Sequence, residues 1–301
     1  MLVDTHCHIH DPDYPHNGEE VVSRAHQAGV MQMICVGTNV DNSNQAIQFA
    51  LDHDGVFASV GVHPHYATDG AGGINRLIDS VYSGNGFVPG LIRAPAPYQT
   101  RSADVSLNKG VQSDSMITSR KLVAIGEIGL DYYYNNSPRA DQIRVLKSQI
   151  ELALQYDLPI IFHVRGAFDD FWEVLDSFQP DFDEKGQFVG QQIRGVLHCF
   201  TDSLVNAKKG LDRGLYIGIN GISTFTKDES QKSMFRTIPL DKILLETDAP
   251  YLTPAPLRGK VKINEPAYIK NITEYNSDVY NVSFNELADI TTANAKALFK
   301  I

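Results

Sequence analysis

The sequence predicts an α/β protein, a (β/α)8 barrel with an extra C-terminal helix. Three observations carry that expectation. Eight short apolar runs of β-branched character recur along the 301 residues, with helix-like stretches between them. No G-x-G-x-x-G follows the first run, as an open doubly wound sheet would usually show. Residues able to do chemistry also gather at the C-terminal ends of the runs, where barrel enzymes keep their sites.

In chain order, the first run covers residues 2–5 and stops at two histidines, and a helix is expected over 18–27. The second and third runs, 32–36 and 56–60, precede helices at 41–52 and 74–82. The fourth run, 122–126, leads to the longest helical stretch, 140–156, where Ile143, Leu146, Ile150 and Leu154 fall on one stripe at helical spacing. Runs at 159–162, 195–197, 215–219 and 242–245 alternate with helices at 167–177, 203–212 and 229–237. Two further helices follow, at 265–275 and 283–299. Residues 1–301 read as a single domain carrying two polar, Gly-containing loop segments, 83–119 and 178–194. Both follow a helix and precede a strand, which puts them on the face of the barrel away from the chemistry.

A hydrophobic content of 43% and a charged content of 21% belong to an ordinary globular protein, and no apolar stretch is long enough to span a bilayer. Three cysteines, Cys7, Cys35 and Cys199, are too few for a disulfide framework. With no leader-like segment before the histidines, the expected location is cytoplasmic. The net charge of −10 argues against a broad basic surface that coats nucleic acid. It leaves room for an enzyme that grips one strand end in a small site, where bound metal ions supply the positive charge.

On a strand, residues i and i+2 share a side, so His6 and His8 can converge on one object while Cys7 faces away. Further run ends supply Glu127, His163, His198 and Asp248. Imidazoles and carboxylates in this proportion suit zinc, manganese or nickel, with magnesium acting in excess. Six donors exceed what one tetrahedral ion takes and suit two divalent ions about 3.5–4 Å apart, bridged by a carboxylate. Around them, His63 in GVHP and Arg165, two residues past His163, are candidates for binding a substrate phosphate. Arg258, with Lys260 and Lys262, would form a local basic patch on the catalytic face. Glu246 and Thr247 are candidate supports, and Tyr132–Tyr134 could stack a base or simply pack the rim.

Taken in order, HCHIHD, GVHP, GEIGLDYYYN, FHVRGA, HCFTD, GINGISTF, LLETDAPYLTPAP, RGK, NEP and TTANAKALF resemble the TatD-type metal-dependent deoxyribonucleases, a branch of the amidohydrolase superfamily. The resemblance covers nearly the whole chain apart from the two long segments. Phosphotriesterase-like branches typically place a carboxylated lysine at the bridging position, and here Glu127 stands there. The resemblance implies that His6, His8 and Asp248 hold one ion and His163 and His198 the other, with Glu127 between them. It also implies that Asp248 positions or deprotonates the attacking water. The implied substrate is DNA, single-stranded or at strand ends and trimmed from the 3′ side, with RNA as an accepted variant. Two alternatives stand beside this. One is a superfamily hydrolase of a small ester, lactone or amide; the other is a non-catalytic metal-binding scaffold.

Overall fold

The computed structural model describes residues 1–82, 120–178, 181–182, 188–189 and 192–301. Within them the eight runs become eight parallel strands: β1 Leu2–Cys7, β2 Val30–Val36, β3 Val56–Val60, β4 Leu122–Asp131, β5 Ile160–Arg165, β6 Gly195–Leu197, β7 Tyr216–Ile219 and β8 Ile243–Leu245. Each pairs with the next in chain order. The two outer strands then meet. The Asp248 amide donates to His6 O at 2.8 Å, the His8 amide to Ala249 O at 2.8 Å, and the Thr5 hydroxyl to Leu245 O at 3.0 Å. The barrel closes along that seam, as the sequence predicts.

The helices are α1 Gly18–Gln27, α2 Val40–Asp52, α3 Gly72–Tyr82, α4 Arg139–Gln155, α5 Phe168–Asp176, α6 Leu204–Asp212, α7 Glu229–Thr237, α8 Ile269–Tyr280 and α9 Phe284–Phe299. Asn17, Asn39, Ser203, Asp228 and Ser283 each cap one of them by accepting an amide N–H of the first turn. The helix expected from 265 begins later, because Pro266 opens a separate 3-10 turn, Pro266–Tyr268. Of the two long segments, 83–119 lies outside the described residues, and 178–194 contains a two-residue antiparallel ladder, Asp181–Phe182 with Phe188–Val189. Among the described residues no helix is long and apolar enough to cross a membrane.

The apolar side chains divide into two layers, and the division explains the aim of the site residues. Val3, Ile34, Val36, Val123, Ile161, Val196 and Leu244 fill the barrel interior, together with Leu298 and Phe299 of α9. Helix α9 thus plugs the end opposite the site, and its Thr292 hydroxyl donates to Met1 O at 3.0 Å. The larger layer, including Met33, Cys35, Phe162, Leu197 and Ile217, packs the strands against the helices. In β1, Val3 faces inward and Cys7 outward although four residues separate them. In β4, Ile125 and Ile128 both face outward although they are three apart. Each strand has a register shift at that place, between Asp4 and Cys7 and between Ile125 and Ile128. A one-residue shift reverses the faces of a strand, so these bulges turn His6, His8 and Glu127 into the barrel mouth.

Candidate metal centre

Six of the residues singled out in the sequence meet at the C-terminal mouth, and Glu127 stands in the middle of them. Its Oε2 lies 3.6 Å from His6 Nε2. Its Oε1 lies 2.8 Å from His163 Nδ1 and 3.6 Å from His198 Nε2. On the Oε2 side, His6 Nε2 and His8 Nε2 are 3.1 Å apart, with Asp248 Oδ1 at 3.6 and 3.5 Å from them. The rings of His6 and His198 stack at 3.5 Å between centroids. Asp248 is held in the left-handed region at φ 57°, a conformation tolerated by Asp at the expense of some strain, and the hydrogen bond its backbone N–H donates to His6 O fixes it there.

The second nitrogens of three imidazoles face acceptors. His8 Nδ1 lies 2.9 Å from Val36 O, which can only accept, so the proton sits on Nδ1 and Nε2 presents its lone pair to the cluster. His163 Nε2 is 3.1 Å from Asp131 Oδ2. His198 Nδ1 is 2.9 Å from Glu246 Oε1, close although off line for a hydrogen bond. These orienting groups fix rings so that the opposite nitrogens converge with two carboxylates, the arrangement that divalent cations require. The donor set therefore fits metal ions. His6, His8 and Asp248 bring one ligand atom each to within 4.8 Å of one another, and so do His63, Glu127 and His163.

Charge in this cluster is strongly redistributed. Burial pushes the Glu127 carboxyl up, but the fields of the neighbouring His63 and His198 rings and hydrogen bonds from His163 and His6 outweigh it and hold Glu127 well below the usual range. Asp248 is likewise lowered: burial opposes ionisation, and His8, His198 and His6 overcome it. His198 is pushed up to about 10, because Glu246 and Glu127 prevail over burial. His8 and His163 are raised against burial by their carboxylate neighbours, whereas His6 is lowered chiefly by burial and by the His198 charge.

The remaining candidates divide. His63 lies beside the cluster, its Nε2 3.6 Å from Glu127 Oε1. Its Nδ1 accepts the His65 amide at 3.2 Å and so caps the 3-10 turn Pro64–Asp69; the ring proton is therefore on Nε2. Burial above all pushes its pKa down to about 3, which keeps it neutral. Arg165 lines the cleft, a cavity of about 760 Å³ that also includes Asp11, Tyr134, Thr201 and Tyr251. Arg258 does not line it; its guanidinium lies 3.7 Å over the Phe225 ring. His10 is buried and lies 3.1 Å from Asn42 Oδ1.

Asp131 is the residue whose importance the sequence conceals. Oδ2 faces both His163 and His65 Nε2, the latter at 3.2 Å, while Oδ1 accepts the amides of Tyr133 and Tyr134 at 3.0 and 2.9 Å. Its one hint is parity, since Asp131 is four residues past Glu127 and so on the same face of the strand. Close contact of β4 with β5 depends on Gly129. A Cβ there would stand 1.8 Å from His163 O, and its φ of +154° suits glycine alone.

The comparisons with known proteins agree with the barrel fold and with a metal-dependent hydrolase. The family model described as TatD related DNase matches residues 3–300. A Bacillus subtilis protein named uncharacterized metal-dependent hydrolase YabD is 33% identical over 301 residues, covering 100% of both chains. A Salmonella typhimurium protein named 3'-5' ssDNA/RNA exonuclease TatD is 29% identical, covering 100% of this chain and 99% of its own. The crystal structure of YJJV, a TatD homolog from Escherichia coli K12, superposes with a TM-score of 0.77 at 25% identity, covering 100% and 98% of the two chains. With its barrel, its six converging donors and a family match from end to end, the chain belongs to the TatD-related DNase family.

Proposed function

We propose that this protein is a divalent-metal-dependent deoxyribonuclease that hydrolyses phosphodiester bonds at single-stranded 3′ ends, accepting RNA as well as DNA. The observation that carries the reading is the position of Glu127, whose two oxygens face two separate groups of donors. In this reading His6, His8 and Asp248 hold one ion, His163 and His198 a second, and Glu127 serves both. Such ions, when bound, neutralise phosphoryl oxygens and acidify water near neutral pH.

The chain's own residues take the other duties. Asp248, a carboxylate kept ionised beside His8, orients the attacking water and takes its proton. His63 is a neutral Nε2–H donor aimed into the cluster, placed to bond a phosphoryl oxygen as charge builds on it. Arg165 binds a phosphate at the mouth. Arg258, outside the cleft, meets the strand further along, with Lys260 and Lys262 beside it. The Salmonella relative's name, a 3'-5' ssDNA/RNA exonuclease, supports the polarity and the choice of strand.

The test uses a 5′-labelled single-stranded oligonucleotide with the chelator-treated protein, reloaded with magnesium, manganese or zinc, beside the Asp248→Asn variant. A metal-dependent ladder of shortened products, lost in the variant, is expected. An intact oligonucleotide with every metal, together with turnover of a lactone or aryl ester, would replace the nuclease with a small-ester hydrolase.

A further inference from the structure

Three consecutive tyrosines follow the end of β4, and the fold treats them differently. Tyr132 is tied down: its hydroxyl donates to Asp170 Oδ2 at 2.6 Å, and Arg139 lies 4.2 Å over its ring. Tyr133 and Tyr134 are 68% and 55% exposed, two large rings left in water beside the cleft. They are not loose ends. Asp131 Oδ1 accepts both of their amides, and the two rings meet edge to face at 4.9 Å. The Arg165 guanidinium lies over both, 4.2 and 4.9 Å from the ring centroids.

Arg165 has no carboxylate partner among the described residues. On a protein with a net charge of −10, a cation left outside any ion pair at the mouth of a metal cleft is a seat for an anion. An open aromatic face beside it accepts a flat ring. Phosphate and flat ring are the two parts of one nucleotide. The other oxygen of Asp131 faces His163 Nε2 at 3.1 Å, so a single carboxylate fixes both a metal-facing imidazole and the turn that carries the tyrosines.

We infer that Tyr133, Tyr134 and Arg165 form a nucleotide platform, on which an unpaired base stacks while its phosphate pairs with the guanidinium. The inference rests on the nuclease reading and deepens it by naming what selects the substrate. A base inside a duplex has both faces covered by its neighbours and cannot reach the rings without unstacking, so the platform selects single strands. Every base has a π face, so it does so without sequence preference.

The test compares Tyr133→Leu/Tyr134→Leu with Tyr133→Phe/Tyr134→Phe, which keeps the rings and removes only the hydroxyls. KM and kcat are measured on a single-stranded oligonucleotide and on a blunt duplex. Anisotropy of the labelled strand is measured with each pair of substitutions in an Asp248→Asn background. Melting temperature and metal content, equal to the parent's, show that the variants fold. The leucine pair is expected to raise KM and Kd for the single strand about 10-fold or more with little change in kcat, and the phenylalanine pair to stay near the parent. The duplex should be indifferent to both. Single strands bound and cut equally well by the leucine variant would overturn the platform and leave the nuclease standing. Equal damage from phenylalanine would assign the contact to the hydroxyls and overturn stacking. A parent that neither binds nor cuts any oligonucleotide would defeat both readings together.

Discussion

His63 shows how much one hydrogen bond can decide about a residue's duty. Because Nδ1 accepts the His65 amide, Nε2 carries the proton and is a donor, whereas a metal ligand would have to present a lone pair there. The side-chain amides of Asn and Gln separate the two ends of the ring. Asn at position 63 can still accept the His65 amide but does not reach toward Glu127; Gln reaches but caps poorly. His63→Asn should therefore keep its melting temperature and full metal content while losing roughly 100-fold in kcat, the usual effect of deleting a donor to a developing oxyanion. His63→Gln should retain more activity and lose about 1 kcal/mol of stability with the cap. Metal analysis, thermal melts and kinetics on the two variants check this, and loss of bound metal in His63→Asn would make His63 a ligand instead.

At the scale of elements, β4 is where reading the chain and seeing the fold diverge. The alternation of runs and helices was enough to predict the barrel, and several boundaries agree, β3 at 56–60, α1 at 18–27 and α7 at 229–237 among them. The fourth run, however, reads as ending at residue 126, because two glycines flank Glu127 and Ile128 and glycine pairs look like a turn. In the structure the strand continues to Asp131. Gly129 is there to admit the β5 backbone, a reason that exists only between strands and leaves no periodic trace. The role of Asp131 is hidden for the same cause: it is defined by the ring it orients on a neighbouring strand. Arg258 shows the converse, since its place after β8 suggests the cleft whereas its guanidinium stacks on Phe225. Gly129→Ala must drive β4 and β5 apart, with an expected loss of about 3 kcal/mol or more and of the metal centre's activity. Gly166→Ala, at φ +62° with Tyr133 N 3.8 Å from the added Cβ, should lose only about 1 kcal/mol. Denaturant melts of the two side by side test the distinction, and equal losses would remove the strand-contact argument.

For the molecule as a whole, the buried charges make stability depend on pH in a way that metal should weaken. After chelation, His198 holds its proton in the field of Glu246 and Glu127, with a pKa pushed up to about 10 from its ordinary 6.5. A group raised on folding stabilises fully below its unfolded value and loses that contribution as pH rises through the folded one. Asp4, pushed up to about 8 mainly by burial, acts with the same sign from its ordinary 3.8 upward. The melting temperature of chelator-treated protein should thus fall between about pH 6.5 and 10. The loaded protein should fall less, since metal ligation requires the imidazole already deprotonated, and calorimetric titration of metal into the apoprotein should release protons. An apoprotein that gains stability across that range would contradict the charge assignment. The seam of the barrel carries a last consequence, for biosynthesis. His6 and His8 leave the ribosome about 240 residues ahead of Asp248, which arrives with the strand that pairs with them, and the α9 plug emerges later still. A nascent chain thus holds these two donors throughout that stretch without the partner that completes the cluster. Any premature stop before residue 248 yields a fragment that lacks Asp248 and leaves the barrel open, so hydrolytic activity is expected only from chains that extend past that seam.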